Sequence, residues 1–121
     1  MQNESSGSVK ITYLNREKVL AELEECAQNL KRQEPEVNRI LLFGSLVHER
    51  YGPGSDADLL VMIDTTQGRI MDQIPRYLKY FSHVSIPVDI IPMTVKEFKT
   101  RQENKDIFIS RIVREAEEIG L

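Results

Sequence analysis

Apolar side chains recur at helical spacing from Asn15 to about Arg32, where Val19, Leu23, Cys26, Ala27 and Leu30 share one stripe. Asn15 is placed to cap this helix and Pro35 to end the run. The period then changes. Val37 to Phe43 is rich in strand formers and predicts a strand, which Gly44-Ser45 interrupts. Leu46 to Arg50 predicts a short helical turn. Tyr51-Gly52-Pro53-Gly54-Ser55 predicts a tight turn with Pro53 and Gly54 at its centre. Ala57 to Ile63 is apolar at almost every position, so it predicts a strand buried on both faces. Arg69 to Tyr80 reads as helix, started or kinked by Pro75, and Pro87 to Ile91 as a third strand. Thr94-Val95-Lys96-Glu97 has the spacing of a capping box, so a helix should begin just after Thr94. A last helix is expected from about Lys105 to Ile119, with Gly120 ending it. This order of helix, strand, strand, helix, strand, helix, helix predicts an α+β fold, a small β-sheet with helices packed on it. The polar residues 1–10, MQNESSGSVK, read as a flexible N-terminal tail, and residues 11–121 as a single domain.

Composition narrows the function. Of 121 residues, 40% are apolar, enough for a real core, and the net charge is −3. That balance lacks the basic footprint of a dedicated nucleic-acid binder, so direct nucleic-acid binding is not expected. It leaves room for a small nucleotide bound through a metal. The single cysteine, Cys26, excludes an internal disulfide and fits a reducing compartment. No apolar run is long enough to span a bilayer and no hydrophobic signal core is visible, so a cytoplasmic protein without a membrane partner is expected.

Against this background three acids stand out. Asp56 and Asp58 flank Ala57 at the mouth of the second strand, and residues two apart on a strand project to one face. Asp89 lies in the otherwise apolar run Ile86-Pro87-Val88-Asp89-Ile90-Ile91. An aspartate is a poor strand former and an expensive core residue without compensation. If the second and third strands are neighbours, the three form one cluster. Carboxylates are the hard oxygen ligands that Mg²⁺ prefers, with phosphate oxygens completing the shell. Two plainer readings stay open: Asp56 accepting backbone N–H groups in its turn, and Asp89 pairing with an arginine or capping a nearby loop. Upstream, Leu41-Leu42-Phe43 ends in Gly44-Ser45. Glycine allows a phosphate to approach the backbone, and the Ser45 hydroxyl with the N–H groups of a following turn would make a phosphate-binding corner. Together, acids that hold Mg²⁺ and a corner that holds phosphate suggest in-line displacement at phosphorus, with a two-metal site as one arrangement.

Gly44-Ser45, a spacer, Asp56-Ala57-Asp58 and a distant Asp89 in a strand resemble the polymerase-β-like nucleotidyltransferase superfamily. The wording of Leu42-Phe43-Gly44-Ser45 and Ser55-Asp56-Ala57-Asp58-Leu59 is similar to that of its minimal nucleotidyltransferases, over about Ile40 to Phe98. The resemblance implies a mixed sheet, Mg²⁺, a nucleoside triphosphate (usually ATP) and nucleotidyl transfer with loss of pyrophosphate. It implies Gly44 and Ser45 at the triphosphate, with Ser55 and Arg50 as further nucleotide-binding candidates. It implies Asp56, Asp58 and Asp89 as metal ligands and catalytic acids, with Asp89 assisting the attacking hydroxyl. Some members are antitoxins that attach AMP to a tyrosine of a HEPN-domain partner, which makes a hydroxyl of a partner protein the first acceptor to consider. The chain departs from the pattern after Ser45: His48 stands where an arginine is common and Glu49 where a glycine is common. Those changes favour an alternative, a nucleotidyltransferase-fold module that works by occupying its partner without catalysis. Retention of all three acids opposes it.

The other polar and aromatic residues receive structural readings. His83 is expected in a surface loop, Cys26 in the core, and Tyr77, Tyr80 and Phe81 packed inward. Lys96, Lys99 and Arg101 should form a solvated helix face. Glu115-Ala116-Glu117-Glu118 is expected at a solvated helix end, where the helix dipole disfavours acids.

Overall fold

The computed structural model of the chain describes residues 15–48, 52, 54–65 and 68–121. Its first helix, α1 (Arg16–Gln33), starts where the Asn15 side chain accepts the N–H of Lys18 at 3.0 Å. Val19, Leu23, Ala27 and Leu30 of the expected stripe are buried, while Cys26 is only partly buried against the core. The strands β1 (Val37–Phe43) and β2 (Ala57–Ile63) fall on the expected apolar runs and pair antiparallel. β3 (Val88–Thr94) runs three residues past the expected end at Ile91 and pairs with β2 in parallel. It lies at one edge of the sheet, so Pro92, which has no N–H to donate, is tolerated there.

Between β2 and β3 the expected helix over Arg69 to Tyr80 is broken into three pieces. A 3-10 turn (Ile70–Gln73) leads into a short α-helix, α2 (Ile74–Leu78), and a second 3-10 turn (Lys79–Phe81) follows. Pro75 sits in the first turn of α2, where a missing N–H costs nothing, so it starts the α-helical piece. After β3, the Thr94 hydroxyl accepts the N–H of Glu97 at 3.0 Å and opens α3 (Val95–Glu103).

The last expected helix needs correction. α4 covers only Ile107–Glu115, opened by the Asp106 carboxylate accepting the N–H of Ile109 at 3.0 Å. Ala116 turns extended, and Glu117–Ile119 forms a fourth strand, β4, antiparallel to β1. Glu117 and Glu118 therefore belong to a strand, Glu118 pairing with Arg39 across the sheet at 2.9 Å, and only Glu115 remains a helix end. The expected helical turn from Leu46 to Arg50 is also corrected within the described residues. Ser45 to His48 form a non-helical turn closed by the Val47 N–H on the Gly44 carbonyl at 3.1 Å. Glu49, Arg50, Tyr51, Pro53 and the expected tail lie outside the described residues.

The sheet order is β3-β2-β1-β4, mixed because only β2 and β3 are parallel. Alternation along β2 divides the core. Ala57, Leu59, Val61 and Ile63 join the α1 and α2 side with Leu23, Leu30, Tyr77 and Phe81. Leu60 and Met62 join the α3 and α4 side with Met93, Phe98, Ile109 and Ile112. β2 is thus buried on both faces, which explains its near-continuous apolar sequence. No helix among the described residues is long and apolar enough to cross a membrane.

Candidate active site

The three acids meet where the fold changes direction. β2 and β3 start at the same end of the sheet, and their parallel register sets Asp58 beside Asp89. The antiparallel register of β1 brings Phe43 opposite Asp58 at the same end. Asp58 shares a strand face with Leu60 and Met62, and Asp89 with Met93, so both point to the α3 and α4 side. Asp56, two residues before Asp58, lies on that side by the same alternation.

Gly44 is fitted to this corner for two separate reasons. Its φ of +90° is one that L side chains rarely adopt. A Cβ placed on it would stand 2.5 Å from Oδ2 of Asp58. The Asp58 carboxylate therefore lies directly against the Gly44 backbone, joining the Gly-Ser turn to the acids. The turn is anchored from behind: Nε of Arg16 donates to the carbonyl of Leu46 at 2.8 Å.

The cluster is electrostatically strained. Burial, then the charge of Asp89, then that of Asp56 hold the Asp58 carboxyl above its ordinary value. Among the described residues, the arginine ion pairs go to other acids. Arg39 pairs with Glu118, Arg69 with Asp72, Arg76 with Glu34 and Glu36, Arg101 with Glu97, and Arg111 and Arg114 with Glu115. The reading in which an arginine neutralises Asp89 finds no support among these pairs. All three donors are hard carboxylate oxygens whose repulsion a divalent cation would relieve, so their chemistry fits such an ion. Among the described residues, however, no group of three His, Cys, Asp or Glu side chains converges closely enough to hold a metal. The acids form a coupled charge cluster and not a closed coordination shell.

The remaining candidates divide. Ser45 is half-buried in the turn beside Gly44. Ser55 closes its own turn: its Oγ accepts the Gly52 N–H at 2.8 Å, and its N–H donates to the Gly52 carbonyl at 3.0 Å. Arg50 lies outside the described residues. His83 is exposed, and Lys96 and Lys99 are exposed on α3.

Sequence reasoning missed the wall that α4 builds beside the acids. A cleft of about 220 Å³ runs between the turn after β1 and α4, lined by Phe43, Gly44, His48, Phe108, Arg111, Ile112 and Glu115. Phe43 and Phe108 meet edge to face with centroids 5.6 Å apart, forming its apolar wall. His48 crosses its rim to Glu115, Nε2 to Oε1 at 2.9 Å. The signal available in the sequence was the spacing of Phe108, Arg111, Ile112 and Glu115 at three and four residues, which places them on one helix face. Which strand that face would meet could not be read without β4.

Comparison with known proteins agrees with the fold. The family model described as a nucleotidyltransferase domain matches residues 23–114. Among solved structures, a protein from Sulfolobus solfataricus, provisionally designated a nucleotidyltransferase, superposes with a TM-score of 0.58 at 16% identity, over 80% of this chain and 82% of that one. At that identity the likeness speaks for the fold. A comparison with curated proteins returns no match.

Proposed function

The chain belongs to the nucleotidyltransferase domain family, and from that premise we propose that it transfers AMP from ATP to a hydroxyl of a partner protein. The observation that carries this reading is the in-register pair Asp58 and Asp89, with the Asp58 carboxylate against Gly44. A phosphate chain approaching the bare Gly44 backbone would meet the acids at once. Asp56, Asp58 and Asp89 would have to draw together to hold Mg²⁺, which when bound would neutralise the triphosphate and the developing charge at phosphorus. Gly44 and Ser45 place the phosphates. The acceptor oxygen bonds to the α-phosphorus, the bond to the pyrophosphate oxygen breaks, and pyrophosphate leaves with that electron pair. Asp89, exposed at the sheet edge and so reachable from solvent, receives the acceptor proton. The resemblance to minimal nucleotidyltransferases supports a HEPN-domain protein as the acceptor and an antitoxin role.

The second reading, a partner-binding module without transfer, is favoured by the open arrangement of the acids and by His48 being engaged with Glu115. Purified protein, ATP labelled at the α-phosphate, Mg²⁺ and a HEPN-domain partner separate the two. Transfer predicts label on the partner, reduced about 100-fold or more in Asp56→Ala and Asp58→Ala. A partner that binds but stays unlabelled at any metal concentration favours the module. Nucleotide binding that is indifferent to divalent metal counts against both the metal and the transfer.

A further inference from the structure

Glu115 is the most heavily solicited carboxylate on this side of the fold. His48 Nε2 lies 2.9 Å from Oε1, Arg111 Nε 3.6 Å from the same oxygen, and Arg114 Nη2 3.3 Å from Oε2. Helix geometry does not explain its position. Glu115 is the last residue of α4, where the helix dipole disfavours an anion and favours the two arginines. Its neighbours hold it there. Burial would raise its carboxyl, but hydrogen bonds from Arg114 and His48 and the charges of those two groups take it below its ordinary value. Two of its three partners, His48 and Arg111, line the cleft together with Gly44. A carboxylate and a phosphate oxygen accept the same charge-assisted donors. The two arginines alone outnumber the carboxylate in charge, so the group retains positive charge beside an acidic cluster that repels anions.

We propose that His48 and Arg111 are a binding site for the phosphate oxygens of the nucleotide, and that Glu115 occupies this site in the free protein and is displaced when a triphosphate enters. The inference rests on the nucleotide reading above and adds the residues that receive the phosphates. It also gives His48 a role. In place of a permanently charged arginine, the turn carries a side chain that an internal carboxylate holds at the rim. Displacement is cheap, because ion pairs open to solvent hold their partners only weakly. Arg111 is as exposed as Arg114, but it stands farther from Glu115 and lines the cleft, so it is the arginine better placed to turn to a ligand.

The test is calorimetric titration of the full chain with inorganic tripolyphosphate and, separately, with ATP, each with and without Mg²⁺. Glu115→Gln removes the competing charge and should tighten tripolyphosphate about 3- to 10-fold. Glu115→Asp, one methylene shorter, should tighten it in the same direction, which guards against a folding defect peculiar to one variant. His48→Gln and Arg111→Gln should each weaken it, and Glu115→Gln should bring no gain in an Arg111→Gln background. Unchanged or weaker binding in both Glu115 variants would overturn the proposal and leave Glu115 as a strut that positions His48. Failure of AMP transfer is a separate result: tripolyphosphate binding needs no acceptor, so an inactive protein can still bear out this site.

Discussion

Asp58 is the residue at which fold and chemistry conflict most directly. Burial and two neighbouring acids raise its carboxyl, so along the acid limb the folded chain holds this proton after the unfolded chain has released it. Stability must therefore fall as pH rises from the ordinary carboxylate range through the raised value, and stay lowered above it. Asp58→Asn keeps the shape and removes the charge. In chelator, the variant should melt above the wild type at neutral pH, and the gap should close as pH is lowered towards about 4. Thermal melts across that range check the sign, and a variant less stable than wild type at neutral pH would contradict it. Added Mg²⁺ should narrow the gap by stabilising the wild type. Gly44 shows the same corner from the backbone side. Gly44→Ala meets both a disfavoured φ and an oxygen at 2.5 Å. It should lose roughly 1–2 kcal/mol of stability together with nucleotide binding, read by denaturant melts and calorimetry. The doublet Asp56-Ala57-Asp58 was legible because acids at the start of an apolar run are costly. The glycine's contact with Asp58 was not, since only the register of β1 on β2 creates it.

Elements were legible where one local signal settled them. Asn15 and Thr94 cap the helices they were expected to cap, and β1 and β2 match their apolar runs at both ends. The chain's end was misread because Glu117-Glu118-Ile119 continues a helical pattern and contains one strong strand former. Pairing with β1 decides its state: Ile119 is buried against α1 while Glu118 reaches Arg39 on the other strand. Tertiary context overrode local propensity there, as it commonly does in strands. Glu115, the last residue of the shortened α4, lines the cleft. The helix's N-cap can be tested for the same reason. Asp106→Ala leaves the Ile109 N–H without its acceptor and should cost about 1 kcal/mol. Because α4 carries Phe108, Arg111 and Glu115, the loss should appear in nucleotide affinity as well as in the melting temperature. Thr94→Ala removes the equivalent cap from α3, which lines no part of the cleft. It should lower melting by a similar amount and leave affinity unchanged. Equal effects of the two caps on affinity would show that global stability, not α4, governs binding.

At the scale of the whole molecule, β4 ties the last element to the first. It closes the edge of the sheet on β1, and the residue after it turns back onto α1. Gly120 has a φ of +78°, and a Cβ there would lie 3.1 Å from the Ala27 side chain and 3.2 Å from the α1 backbone. Its N–H donates to Glu24 at 3.0 Å, and the Leu121 carbonyl accepts from Gln28 at 3.2 Å. The two ends of the described chain are thus stitched across a contact that only glycine fits. Gly120→Ala must either strain that backbone or push the strand off the helix, at a cost of about 1–3 kcal/mol. The consequence should be local before it is global. β4 pairs Ile119 with Ile40, Glu118 with Leu41 and Glu117 with Leu42, so loosening it exposes that edge of β1, while β2 and β3 keep each other. Hydrogen exchange should therefore quicken along Ile40 to Leu42 and in β4, with the β2 to β3 pairing protected as before. Asp58 and Asp89 stand on β2 and β3, and the cleft stands between β1 and α4. The same variant should weaken tripolyphosphate binding more than it disturbs the Asp58 titration. Exchange that rises evenly over all four strands would mean that the sheet opens as one unit and that β4 has no separate hold on the cleft.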